Sequence, residues 1–193
     1  MFSDFGKALP KLIANPDINI DTVIKKLSKL NVNKSTGEDK VHPRVLKECS
    51  NSISNPLSTI FNRSYSSGIT PRIWQCANII PILKKGDKLK ATNYRLVSLT
   101  SVVRKVMENI IRDALVEHLV ENKLKSNSQH GFVRCKNCCT NLLESLDLIA
   151  QSVELGFSID IAFLDFSKAF DTVTHKRLLI KLKAYCEYEV LVN

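Results

Sequence analysis

The 193-residue chain has no run of eighteen apolar residues, so no transmembrane helix is expected. Its opening, MFSDFGKALPKLIANPD, lacks a basic start followed by a long apolar stretch and does not read as a secretory signal. There is no internal repeat and no long low-complexity tract. Six cysteines are present, at positions 49, 76, 135, 138, 139 and 186, but no second pair matches the spacing of Cys135 and Cys138. That spacing, with Cys139 adjacent and His130 upstream, is therefore half of a zinc set, and small residues on a helix face are the preferred reading. The thiols are expected to stay reduced. No Asp-Asp pair occurs anywhere.

What is present bounds the class. Apolar residues make up 44% of the chain, enough for a core, and the length suits one large domain or two small ones. Net charge is +9, and its distribution is one-sided. Residues 1–100 hold 16 Lys and Arg against 7 Asp and Glu, while residues 101–193 hold 12 of each. Excess positive charge in one half is the footprint of a polyanion-binding surface, or else a solvated basic face.

Periodicity places the elements. Asp21 caps an expected helix to about Leu30, with Val23, Ile24, Leu27 and Leu30 as its stripe. A polar loop, Asn33 to Lys40, follows, and His42-Pro43 opens a second helix. A third is expected from about Pro56 to Ser66, stopped by Ser67-Gly68. Trp74 reads as a core anchor in a short connector. Residues 77–83 and the return at Val97-Ser98-Leu99 read as a hairpin around the basic turn Lys84, Lys85, Gly86, Asp87, Lys88 and Lys90. Long helices are expected over 101–122 and about 139–155, both as packing elements, and another over 175–185.

One segment carries the chemistry. Phe157, Ile159, Ile161 and Phe163 alternate and lead into Asp165, which shares their parity, so a strand ending in a carboxylate is expected. Such a carboxylate is hydrated at the strand end, paired, or bound to metal, because an unpaired buried charge is very costly. For an isolated Asp in an arbitrary strand, a cap on the following turn is the preferred reading.

The nine residues FLDFSKAFD, Phe163 to Asp171, resemble the first catalytic-carboxylate motif of reverse transcriptases of LINE-type, non-LTR retrotransposons (jockey-like). Four further segments support the resemblance in the same order. NKSTGEDKVHP resembles the family's opening loop, with Thr36 and Lys40 where Pro and Gly are usual. IPILKKGDKLKATNYRLVSLTS resembles the fingers hairpin, with Leu96 where Pro is usual. SQHGFVRCKNCCTNLL resembles the Gln-x-Gly-Phe-Arg segment, with Val133 for Arg and Cys135 for Gly. HKRLLIKLKAY resembles the helix after the catalytic strand.

The resemblance implies a mixed α/β (α+β) fold: fingers and partial palm of a right-hand polymerase, helix-rich, with a small antiparallel hairpin and an incomplete palm sheet. It divides the chain into an N-terminal extension (1–20), a fingers-like region (21–130), a partial palm (131–186) and a divergent tail (187–193). It implies that Asp165 and the Phe166 backbone hold Mg2+ in a two-metal site, and that Phe170 sits under the sugar of the incoming nucleotide. Lys84, Lys85 and Arg95 would approach its triphosphate, and Gln129, Gly131 and Phe132 would help hold template and nucleotide. The implied partners are an RNA template, a DNA primer and deoxynucleotide triphosphates, with no membrane, and an intracellular setting (nucleus or cytoplasm). The Tyr-x-Asp-Asp hairpin, the Pro-Gln-Gly turn and the thumb are not in this chain. Phosphoryl transfer depends on metal positioning, so the region is expected to be inactive as a polymerase by itself. A non-catalytic basic RNA- or DNA-binding module and a functionless mobile-element relic are the alternatives.

Overall fold

The computed structural model describes residues 15–166 and 172–185. They fall into two compact units, one ending at His118 and one covering Leu119–Tyr185, and each is taken by itself. The elements run α1 (Ile20–Ser28), α2 (Pro43–Glu48), α3 (Ser50–Ser67), α4 (Arg72–Gln75), β1 (Ala77–Leu83), β2 (Tyr94–Thr100), α5 (Val102–Glu121), α6 (Cys138–Glu154) and α7 (His175–Tyr185). The fold is helix-rich with one antiparallel hairpin among the described residues, in accord with the expected class.

Local chemistry sets the first unit's ends. The Asn19 side chain accepts from the Thr22 N–H and starts α1, whose Val23 and Leu27 are fully buried. Pro43 occupies the first turn of α2, where its missing N–H costs nothing, and His42 Nδ1 accepts from the Arg44 N–H. Helix α3 starts at Ser50, well before the expected Pro56, and Pro56 lies inside it. Tertiary packing overrides the proline there. Ser50, Ser54, Ser58 and Phe61 form a buried face, and the Ser58 hydroxyl donates to the Ile18 carbonyl at 2.9 Å. Gly68, at φ 67°, ends the helix in the left-handed conformation.

The core of this unit joins α1, α2, α3, α4 and α5 through Leu27, Leu46, Phe61, Trp74, Val106 and Ile110. Each buried aliphatic or aromatic side chain contributes about 2 kcal/mol. Trp74 is a core anchor, as expected, meeting Phe61 edge-on with ring centroids 5.8 Å apart.

Lys26 of α1 pairs with Asp113 of α5, which also takes Arg112. Partial burial pushes the Asp113 carboxyl up, but hydrogen bonds from Lys26 and Arg112 and their charges outweigh it. They hold it below the ordinary value of 3.8. A lowered pKa means stability that is complete well above pH 3.8 and lost as pH falls through the folded-state value. The carboxylate is half exposed, so screening keeps the contribution small. Asp113→Asn is expected to cost about 0.5 kcal/mol at neutral pH, with the gap closing below pH 3.8, as read from urea midpoints across pH.

The second unit differs in kind. Its helix α6 begins with a reciprocal cap, in which Asn137 and Thr140 each satisfy the other's backbone N–H, and Gly156 follows it at φ 79°. Yet α6 is not the packed element its periodicity predicts. Leu142 is 63% exposed, and Leu143, Leu146 and Val153 are similarly open.

The expected strand at 157–163 is also absent. Residues 157–166 carry no ladder, and Phe163 and Leu164 are each 93% exposed. Both departures have one cause. An alternating segment becomes a strand only when a neighbour takes its N–H and C=O groups, and no described residue does so. Without that sheet, the apolar stripe of α6 has nothing to cover. No helix among the described residues is long and apolar enough to cross a membrane.

Candidate nucleic-acid interface

Strands β1 and β2 pair from Ala77↔Thr100 to Leu83↔Tyr94. Pro81 sits opposite Leu96 and, in a two-stranded ribbon, interrupts no third strand. The connection between the strands is held from within. The Lys84 N–H donates to the Asn93 carbonyl at 2.8 Å, and the Asn93 amide donates to the Asp87 carbonyl at 2.8 Å. The Leu89 N–H donates to the Asp87 carboxylate at 2.9 Å, and the Tyr94 hydroxyl donates to the Lys88 carbonyl at 3.0 Å. Gly86, at φ 85°, lies under the Asn93 amide, where a Cβ would meet its nitrogen at 2.9 Å.

This bracing spends the only carboxylate of the turn on the turn itself. Lys84, Lys85, Lys88, Lys90 and Arg95 are all exposed, and none makes an ion pair among the described residues. Arg95 lies opposite Ile82 on the ribbon, beside the turn. The expected trio of Lys84, Lys85 and Arg95 thus belongs to one structural feature. Lys88 and Lys90 join it, and the density of positive charge in the turn was the signal for them. Unpaired cations on a braced loop suit phosphate oxygens, Arg by its planar donor fork and Lys as a point charge.

The root of the hairpin is fastened by the opening loop. A Cβ built on Gly37 would lie 2.5 Å from both the Ser101 nitrogen and the Thr100 carbonyl carbon. The buried Ser101 hydroxyl donates to Asp39 at 2.5 Å and accepts from the Arg104 N–H at 3.3 Å, at the start of α5. Sequence reasoning matched this loop to a pattern without seeing its contact, because Gly37 and Ser101 are distant along the chain.

In the second unit, Gln129, Gly131 and Phe132 lie in the loop before α6, all exposed. Phe132 is 92% exposed at φ 58°, and the Gln129 amide donates to the Gly131 carbonyl at 3.2 Å. Neither Lys40 nor Cys135 is glycine, yet they stand at φ 55° and 62°. Cys138 and Cys139 lie exposed in the first turn of α6, while Cys135 lies outside the helix.

Asp165 is exposed and has no hydrogen-bond or ion-pair partner among the described residues, and Phe166 beside it is 82% exposed. Phe170, with Asp171, lies outside the described residues.

The family profile for reverse transcriptase (RNA-dependent DNA polymerase) matches residues 82–188, more than half of the chain. The chain belongs to the reverse transcriptase family. This reverse transcriptase region is 29% identical to the RNA-directed DNA polymerase from mobile element jockey of Drosophila melanogaster, over 86% of the chain and 18% of that relative. It is 29% identical to the jockey polymerase of Drosophila funebris, over 93% of the chain and 19% of that relative. It is 26% identical to the probable RNA-directed DNA polymerase from transposon BS of Drosophila melanogaster, over 86% and 18%. The chain spans about a fifth of the length of these relatives.

Reverse transcriptases are generally divalent-metal dependent, which sets a test for Asp165. Among the described residues no group of three or more His, Cys, Asp or Glu side chains is close enough to hold a metal ion. A hard divalent cation needs a full shell of oxygen ligands, and one exposed carboxylate with a neighbouring carbonyl is a fraction of one. The described residues of this reverse transcriptase region do not fit a two-metal site.

Proposed function

We propose that this region is the fingers (21–130) and first part of the palm (131–186) of a retrotransposon RNA-directed DNA polymerase, and that by itself it holds nucleic acid without extending it. The observation that carries the reading is the braced hairpin with its five cations unpaired among the described residues. Separately, in the second unit, Asp165 lacks companion ligands among the described residues. Lys84, Lys85 and Arg95 contact phosphates of the template, primer or incoming deoxynucleotide. Gln129, Gly131 and Phe132 contact template and nucleotide. In an intact polymerase that carried this region, Asp165 and the Phe166 backbone would help ligate Mg2+, and Phe170 would lie under the nucleotide sugar. Such an element works in the nucleus or cytoplasm.

Primer extension with the purified chain, an RNA template annealed to a DNA primer, deoxynucleotides and Mg2+ tests this. The expected result is binding that weakens steeply with salt and no DNA product. Template-dependent synthesis would overturn the claim of inactivity, and salt-independent binding would overturn the hairpin's role.

A second reading has its own support. Among the described residues of the second unit only His130 is buried, so the unit has little to hold it together. That favours a mobile-element relic, and it is the better account if the chain aggregates and melts without a cooperative transition.

A further inference from the structure

His130 is the one buried side chain among the described residues of the second unit. It is 8% exposed, and both of its ring nitrogens are engaged. Nε2 lies 2.5 Å from Glu144 Oε2, and Nδ1 lies 2.9 Å from the Thr140 hydroxyl. Thr140 and Glu144 are one helical turn apart and share a face of α6. The Thr140 hydroxyl also stands 2.8 Å from the Asn137 carbonyl and 2.9 Å from the Asn137 N–H. The imidazole therefore ties the loop to the cap and second turn of the helix at once. Lys136 closes the loop from the other end by donating to the Asn127 carbonyl. With both nitrogens taken, the ring is not free to join Cys135 and Cys138 at a metal.

The residues on either side are Gln129, Gly131 and Phe132. They face solvent, so nothing of their own packing fixes them. Phe132 in addition holds a left-handed backbone, a conformation that strains an L residue and needs outside support.

We propose that His130 is a positioning residue that holds the Gln129–Phe132 loop against α6, through Glu144 and Thr140, in the conformation that meets template and nucleotide. The inference rests on the reading of that loop under Proposed function. Glu144 supplies an acceptor oxygen to the ring, so Gln, which keeps such an oxygen, should preserve the clamp where Ala removes it.

The test uses the full chain, an RNA template annealed to a shorter DNA primer as probe, and variants His130→Ala, Glu144→Ala and Glu144→Gln. His130→Ala is expected to lower hydrogen-exchange protection of the amides at 126–137 about tenfold. It should weaken primer–template binding about tenfold while the slope of affinity against salt stays that of wild type. Glu144→Ala should move both in the same direction, and Glu144→Gln should restore both towards wild type. The two Glu144 variants keep the test decisive if His130→Ala fails to fold.

Unchanged loop protection would overturn the proposal. So would lost protection with unchanged affinity, because the clamp would then be structural only. A fall in the salt slope would also overturn it, since the loss would lie at the hairpin's phosphate contacts. Absence of salt-dependent binding by wild type would instead sink the underlying nucleic-acid reading, and the failure of the parent chain distinguishes that case.

Discussion

Gly37→Ala is expected to lower the stability of the chain by about 3 kcal/mol, read as a fall in the urea midpoint with little change in slope. The added Cβ would lie 2.5 Å from backbone atoms of Thr100 and Ser101, well inside contact distance. Backbone cannot yield as a flexible side chain does. The loop or the hairpin root must move, and the Asp39–Ser101 hydrogen bond goes with it. A midpoint within error of wild type would show that the loop does not seat against the hairpin root.

The same loop offers the opposite test. Lys40, at φ 55°, stands where the family pattern usually has Gly, and Cys135, at φ 62°, stands where another Gly is usual. The backbone has kept the conformation that glycine serves, and the L side chains bear the strain. Lys40→Gly is expected to raise stability by about 0.5 kcal/mol, because relief of the left-handed strain exceeds glycine's extra unfolded entropy. A destabilised Lys40→Gly would mean that the lysine makes a contact worth more than the strain.

The largest effect on binding is expected from replacing Lys84, Lys85 and Arg95 together by Gln. Each phosphate contact adds about 0.9 to the slope of log affinity against log salt on a duplex. Three contacts account for about a fortyfold fall in affinity between 50 and 200 mM salt by that slope. The triple variant should lose that salt-dependent part while keeping its unfolding midpoint, because all three side chains are exposed and outside the core. An unchanged slope would remove the hairpin from the interface. A slope reduced by less than one contact would shift the assignment to Lys88 and Lys90.

Much of this was legible in the order of residues. The helix stripes placed α1, α5 and α6 to within a few residues, because a 3.6-residue period is a local property of the chain. Capping chemistry at Pro43 and Gly68 marked real ends, and the hairpin, its basic turn and Trp74 as a core anchor could all be read from residue type and spacing. The start of α3 could not, because a buried serine face overrules the proline signal, and its Ser58 hydrogen bond to Ile18 joins distant parts of the chain.

By itself, then, the amino-acid sequence determined the family, the basic half and most of the helices. All of these follow from local pattern and composition. The tertiary structure alone decided what those pieces can do. It seats Gly37 on the hairpin root, commits Asp87 to the turn so that its cations stay free, and closes His130 onto Glu144. It also leaves the Phe157–Phe163 alternation unpaired and Asp165 in solvent. A period-two pattern states which face a strand would bury, but only a neighbouring strand supplies the hydrogen bonds that make it one.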